Sequence, residues 1–235
     1  MRTVFVTGGT RGIGRALVEL LLARGDSVAF TGTSTEGVGV AERELGDGAG
    51  APGRVVGLVC DVRDPAAVEG AVRTAVARFG GIDVLVNNAG VGVGAPVADL
   101  AEEEWRRIID INLTGTFHCC RAAIPHLRAR GGGWIVNVSS LSSTHPFAGG
   151  AAYTAAKAGV NAFTESLMQE LRPDGIRVAV VLPGSVSTGF GGREPGNGGD
   201  WKLHPEDVAQ AIADLLAHPG RSLPSRLEIR PARTK

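Results

Sequence analysis

Tyr153 is the only tyrosine in the 235-residue chain, and Lys157, four residues on, is the only lysine before position 202. Arginine supplies 21 of the 24 basic residues, so a lysine inside the Ala/Gly-rich run from Ala151 to Gly159 has a specific reason to be there. At this spacing, a tyrosine and a lysine share one face of a helix. There an ammonium can lower the pKa of a phenol and prepare it to exchange a proton near neutral pH. Taken alone, Tyr-x-x-x-Lys also arises by accident, so its meaning depends on what surrounds it.

A second chemistry-bearing segment is Thr7-Gly8-Gly9-Thr10-Arg11-Gly12-Ile13-Gly14, which follows an apolar strand pattern and opens a helical one. Glycines let the backbone approach a pyrophosphate closely, and a helix N-terminus presents free N–H groups and a partial positive charge. The end of the next strand bears on which dinucleotide would bind. A carboxylate there would hold the adenosine ribose hydroxyls and repel a 2′-phosphate, but the segment reads Phe30-Thr31-Gly32-Thr33-Ser34, with no acid before Glu36. Hydroxyls from Thr33 and Ser34, together with the Arg11 guanidinium, suit a phosphate, so NADP(H) is expected over NAD(H). A merely solvated Arg11 is the alternative. Asp61-Val62 after the third strand could accept from the adenine amino group, and Asn87-Asn88-Ala89-Gly90 ends the fourth strand in a turn able to border the cofactor; Asp and Asn are also ordinary turn formers.

Positioning these groups requires a parallel sheet. Short Val/Ile-rich runs alternate with longer helical patterns, the signature of βαβ units. Strands are expected at Thr3 to Thr7, Ser27 to Thr31, Arg54 to Cys60, Val84 to Asn87, Trp134 to Ser139, Arg177 to Leu182 and Leu227 to Ile229. Ile13, Leu17, Leu20 and Leu21 form one apolar helix face, and Val68, Ala71, Val72, Ala75, Val76 and Phe79 form another. His204-Pro205 opens a late helix running to about Leu216. The polar, Gly-rich stretch 184–203 is too long for an ordinary connection and is expected to be a flexible substrate lid. The fold class is therefore α/β: a doubly wound Rossmann fold of about seven parallel strands with helices on both faces, in a single domain spanning residues 1–235.

Together, the Thr7 to Gly14 turn, Asn87 to Gly90, Asn112, Ser140, Tyr153, Lys157 and Pro183-Gly184 resemble the single-domain branch of the short-chain dehydrogenase/reductase family, from residue 3 to about residue 230. The likeness is to its 3-oxoacyl-carrier-protein reductases. It implies that hydride passes from a nicotinamide to a carbonyl carbon while the Tyr153 hydroxyl donates a proton. In that scheme Ser140 bonds the same oxygen, with Ser139 as the nearest rival for the role. Lys157 lowers the Tyr153 pKa and binds the nicotinamide ribose. Asn112, in a long helix, holds a water that links Lys157 to solvent. The resemblance further places the Val186 backbone beside the carboxamide, Thr188 on the pyrophosphate, and Asn88, Ala89, Gly90, Pro183 and Gly184 along the cofactor. His145 and Phe147 fall where the family lines its substrate pocket, and Arg193 and Trp201 could close over it.

Basic residues commonly dock a carrier protein in such relatives. Here Asp174 precedes Gly175 at one such position, with Arg128, Arg130 and Arg172 near enough to compensate electrostatically. The expected partner is a small carbonyl substrate, with acyl thioesters among the candidates. A homodimer or homotetramer through the long helices Glu102 to Arg128 and Ala152 to Arg172 is also implied. An NAD-dependent alcohol dehydrogenase working oxidatively and a non-catalytic dinucleotide sensor are the alternative functions.

Composition narrows the remaining classes. The chain is 43% hydrophobic and 20% charged, with zero net charge and a sequence pI near 7.0. No global field draws it to nucleic acid or an anionic membrane. No run approaches the ~18 apolar residues of a membrane span. Cys60, Cys119 and Cys120 have no metal-ligand spacing and read as reduced core thiols. A cytoplasmic location, with no metal, follows as the expectation.

Overall fold

The computed structural model describes residues 1–48, 53–92, 94–192 and 201–233. Seven strands, β1 (Thr3–Val6), β2 (Ser27–Gly32), β3 (Val55–Val59), β4 (Val84–Asn87), β5 (Gly133–Val138), β6 (Ile176–Pro183) and β7 (Arg226–Ile229), form one sheet. Their order is 3-2-1-4-5-6-7, and every pairing is parallel. Each strand lies within about a residue of where its Val/Ile run placed it.

The sheet is apolar on both sides because its strands alternate between two cores rather than between core and water. In β1, Val4 and Val6 face α1 (Gly12–Ala23), α2 (Thr35–Gly48) and α7 (Pro205–Leu216). Phe5, between them, faces α3 (Pro65–Phe79), α5 (Gly115–Ala129) and α6 (Ala151–Leu171). Val84 and Val86 against Leu85 repeat the split in β4. Each fully buried Val, Leu or Phe contributes about 1.5–3 kcal/mol of transfer free energy, so this two-sided pattern fixes the register. The order reverses around β1 and β4, which leaves a crevice at the carboxyl ends of the strands, and the chemistry-bearing turns empty into it.

The long helix predicted to carry Asn112 departs from regularity there. α4 (Glu102–Ile109) passes through a π-helical turn, Asp110–Thr114, before α5 begins. Such one-turn bulges cluster at functional sites.

Candidate active site

Position 139 is the last inward-facing residue beyond β5 and position 140 the first outward-facing one, because successive residues of an extended chain point to opposite sides. This separates the two candidate serines. Ser139 is buried and its hydroxyl donates to the Lys157 carbonyl at 3.1 Å, tying α6 to the sheet. Ser140 faces a cavity of about 500 Å³, accepts from the Ser142 N–H at 3.2 Å, and lies near enough to the Tyr153 hydroxyl to favour its ionised form.

Tyr153 and Lys157 sit in the first two turns of α6 and are brought to the same place, but their electrostatics differ from the sequence expectation. Burial pushes the Tyr153 phenol above its ordinary value, and Ser140 only partly opposes this. Burial also pushes the Lys157 ammonium down to about 8. The expected lowering of the phenol by lysine is thus corrected: burial is the largest influence on each group, raising the phenol and lowering the ammonium. Lys157 Nζ donates to the Val138 carbonyl at 2.9 Å and stands 5.8 Å from the centre of the Tyr153 ring.

Asn112 lies fully buried in the π turn. Its amide donates to the carbonyls of Val91 at 2.9 Å and Ile108 at 2.8 Å, which leaves Oδ1 without a protein donor. A Cβ on Gly90 would lie 2.8 Å from that oxygen and 3.5 Å from Lys157 Nζ. The missing side chain at Gly90 therefore preserves a polar slot onto which Asn112 Oδ1 and Lys157 both open.

The glycine turn is fixed by hydrogen bonds to the neighbouring strand end. The Thr7 hydroxyl accepts from the backbone N–H of Asn88 and Ala89, both at 3.0 Å, and the Asn88 amide donates to the carbonyls of Thr7 and Gly8 at 3.0 Å. These bonds clamp the turn after β4 onto the turn after β1. Gly8 and Gly12 take left-handed backbone, φ +69° and +56°. A Cβ on Gly14 would meet the Gly8 carbonyl oxygen at 2.2 Å, so only glycine lets α1 start so close to the strand. Arg11 caps α1 without a side-chain capping bond, is exposed, and pairs with no carboxylate among the described residues. By contrast, Arg15, four residues on, is held by Glu19 and Glu44. Thr10 and Ile13 lie in the same turn, with Thr10 packed against Gly32. Thr33 and Ser34 are exposed at the end of β2, where the Ser34 hydroxyl accepts from the Gly37 N–H at 3.2 Å and caps α2.

Asp61 is already engaged. Its carboxylate takes a two-point contact from Arg63, down to 2.5 Å, which holds its pKa below the ordinary value. Val62 is buried against Gly115. On the other wall, Gly184 N–H donates to the Ile229 carbonyl at 2.8 Å, and Val186 bridges to Leu203 in parallel. Thr188 Cγ2 lies 3.4 Å from where a Gly12 Cβ would be, so it overhangs the glycine turn. The two arms of the expected lid are thus stitched together at 185–188 and 203. Arg193, expected to close over the pocket, lies outside the described residues.

His145, Phe147 and Trp201 line the cavity, together with Pro183 and Gly184. Two contributions were missed. Phe190, a lone aromatic in a glycine-rich segment, stacks 5.7 Å from the Tyr153 ring and fills the space beside Gly92; that isolation was the only available signal. Arg230, Pro231 and Arg233, beyond β7, form part of the wall, and no local pattern pointed to them. Of the arginines expected to compensate Asp174, Arg128 does so directly. Arg128 pairs with Asp174 and Arg130 with Asp83, each at 2.7 Å. Both pairs sit near Gly133, where β5 begins, at the opposite edge of the sheet from Ser140.

Comparison with known proteins identifies the family and agrees with the fold. Residues 2–195 match the family model for short chain dehydrogenase. The 3-oxoacyl-[acyl-carrier-protein] reductase FabG of Salmonella typhimurium is 39% identical over 187 residues, covering 80% of this chain and 74% of the relative. An alcohol dehydrogenase from the archaeon Thermococcus sibiricus, complexed with 5-hydroxy-NADP, superposes with a TM-score of 0.93 at 30% identity, covering 100% of this chain and 98% of the other. A single-residue variant of actinorhodin polyketide ketoreductase with NADPH gives a TM-score of 0.89 at 31% identity over 98% and 96% of the two chains. With the family model spanning most of its length and the strand-end chemistry assembled at one edge of a doubly wound sheet, the chain belongs to the short-chain dehydrogenase family and is an oxidoreductase.

Proposed function

We propose that the protein is an NADPH-dependent reductase that converts a ketone or 3-oxo group to an alcohol, with Tyr153 as the proton donor. The observation that carries this reading is the Tyr153 hydroxyl beside Ser140 at a 500 Å³ cavity, with burial pushing the phenol further above an ordinary value that already leaves it protonated at neutral pH. A protonated phenol suits reduction, in which the carbonyl oxygen gains a proton; oxidation would need the phenolate, which this environment disfavours.

The residues present fit a dinucleotide. The glycine turn at Gly8, Gly12 and Gly14 with the start of α1 offers N–H donors to a pyrophosphate, with Thr188 above them. Arg11, Thr33 and Ser34 are all exposed and would together recognise a 2′-phosphate, with no carboxylate at the end of β2 to repel it. Asn88, Ala89, Gly90, Pro183, Gly184 and Val186 would border the remainder. Asp61 would reach the adenine only with the lone pairs Arg63 leaves, and Val62 would act through its backbone. The relatives crystallised with NADP-type ligands support the choice of NADPH. The cofactor, when bound, supplies the hydride.

In this reading Ser140 hydrogen-bonds the carbonyl oxygen and fixes it against Tyr153. As Tyr153 gives up its proton, the buried ammonium of Lys157 stabilises the charge left on the phenol. A water donating to Asn112 Oδ1 in the slot above Gly90 would complete a path by which Lys157 exchanges protons with solvent. His145 and Phe147 contact substrate without acid–base duty, and the 184–203 segment closes over it. Acyl thioesters come into consideration through the likeness to the carrier-protein reductase. Half-exposed Trp105 and Phe117 on α4 and α5 support association through the long helices as a dimer or tetramer.

A panel of small ketones, bulky cyclic ketones and acyl thioesters, followed by NADPH absorbance with NADH in parallel, tests the proposal. Faster turnover with NADPH on at least one carbonyl is expected. Consistent preference for NADH, or turnover only of alcohols with NAD, would overturn it.

A further inference from the structure

The cavity beside Ser140 and Tyr153 is not neutral. Its wall includes Arg230 and Arg233, and no acidic residue lines it among the described residues. In a chain of zero net charge this is a local concentration of positive potential. The wall is built rather than incidental. β7 pairs Ile229 with Pro183, and the Gly184 N–H donates to the Ile229 carbonyl at 2.8 Å, so the residues after β7 are delivered to the carboxyl edge of β6. A Cβ on Gly184 would lie 2.9 Å from Pro231 Cδ and 3.2 Å from Leu141 Cδ1. The segment therefore packs directly on the strand end that borders the reacting centre.

The two arginines are held differently. Arg230 pairs with Glu228 at 3.0 Å, and Glu228 also receives Arg226 at 3.0 Å, so that group of three keeps one net positive charge. Arg233 has no carboxylate partner among the described residues. A planar guanidinium at a concave, partly apolar wall with Phe147 and Trp201 is suited to two-point recognition of a carboxylate.

We propose that the segment after β7 forms an anion-binding wall of the substrate pocket, and that the preferred substrate is a short oxo acid whose carboxylate is bound by Arg233 and Arg230 while its ketone meets Ser140 and Tyr153. This rests on the reductase reading given above. It narrows the substrate class, because a neutral ketone or thioester leaves Arg233 without a carboxylate and the net positive charge of the Arg226, Glu228 and Arg230 group unanswered.

The test compares kcat/KM for oxo acids of four to six carbons with that of their methyl esters and of a neutral 3-oxoacyl thioester, in the unaltered protein and in Arg233→Gln and Arg230→Gln. Alongside, calorimetry measures binding of the matching alkanoates and their amides. The expected result is an acid-to-ester ratio of about tenfold or more, carried in KM, falling toward one in Arg233→Gln and weakening as salt rises. An acid no better than its ester or the thioester, or a ratio that neither substitution moves, overturns the proposal. If esters and thioesters are reduced well without discrimination, only the anion wall fails. If alkanoates bind over amides but no carbonyl is reduced, the wall stands and the reductase reading fails.

Discussion

Lys157 is enclosed, and its ammonium faces a backbone carbonyl rather than a carboxylate, so the fold carries it at a cost. A drop from an ordinary 10.5 to about 8 corresponds to about 3 kcal/mol at ~1.4 kcal/mol per pH unit. Lys157→Met keeps an unbranched apolar stem of similar volume and removes the charge. It also loses the 2.9 Å bond to the Val138 carbonyl, worth about 1 kcal/mol. The net expectation is stabilisation by about 2 kcal/mol, or a rise in Tm of roughly 4–8 °C for a chain of this size, with turnover falling at least about a hundredfold. The sign with pH is fixed. Between pH 8 and 10.5 the unfolded chain still holds the lysine proton and the folded one has released it. The penalty is therefore full below pH 8 and is relieved as pH rises to 10.5. Calorimetric unfolding of both proteins from about pH 7 to 10.5 should show the variant's advantage largest at the low end and lost before pH 10.5, where only the missing Val138 bond separates the two. A variant that melts below the parent at neutral pH, or a gap independent of pH, would refute the reasoning that burial of the charge controls this site.

Other predictions follow from single contacts. Arg11→Gln should raise KM for NADPH by about 10- to 100-fold and leave that for NADH within a few-fold, measured by steady-state kinetics; equal effects on both would show that Arg11 is only solvated. Gly90→Ala would place a Cβ 2.8 Å from Asn112 Oδ1 and push that side chain off the Val91 and Ile108 carbonyls. A loss of about 1–3 kcal/mol in urea unfolding, with reduced turnover, is expected.

How far the sequence could be read depended on whether the signal was local. The strands were legible because Val and Ile runs bounded by Gly and Asn are local features, and Val4-Phe5-Val6 already contains the two-faced alternation. Tyr153, Lys157 and the glycine turn were legible because helix spacing and strand-to-helix position define them. Counting back from Tyr153 favoured Ser140 over its neighbour Ser139, and strand alternation gives the physical reason once the end of β5 is known. The direction of the Tyr153 shift was misread because spacing carries proximity but not burial, and burial decides it. Arg230 and Arg233 were invisible because only the pairing of β7 with β6 brings position 229 beside position 183. Asn112 was named, but the π turn that buries it carries no short sequence signature.

The central claim is that the Tyr153 hydroxyl delivers the proton. Tyr153→Phe removes that one oxygen and keeps the ring against Phe190. Turnover of the best carbonyl substrate should fall by at least about a hundredfold, while the NADPH dissociation constant, measured by fluorescence titration, stays within a few-fold. Turnover retained in Tyr153→Phe would contradict the account.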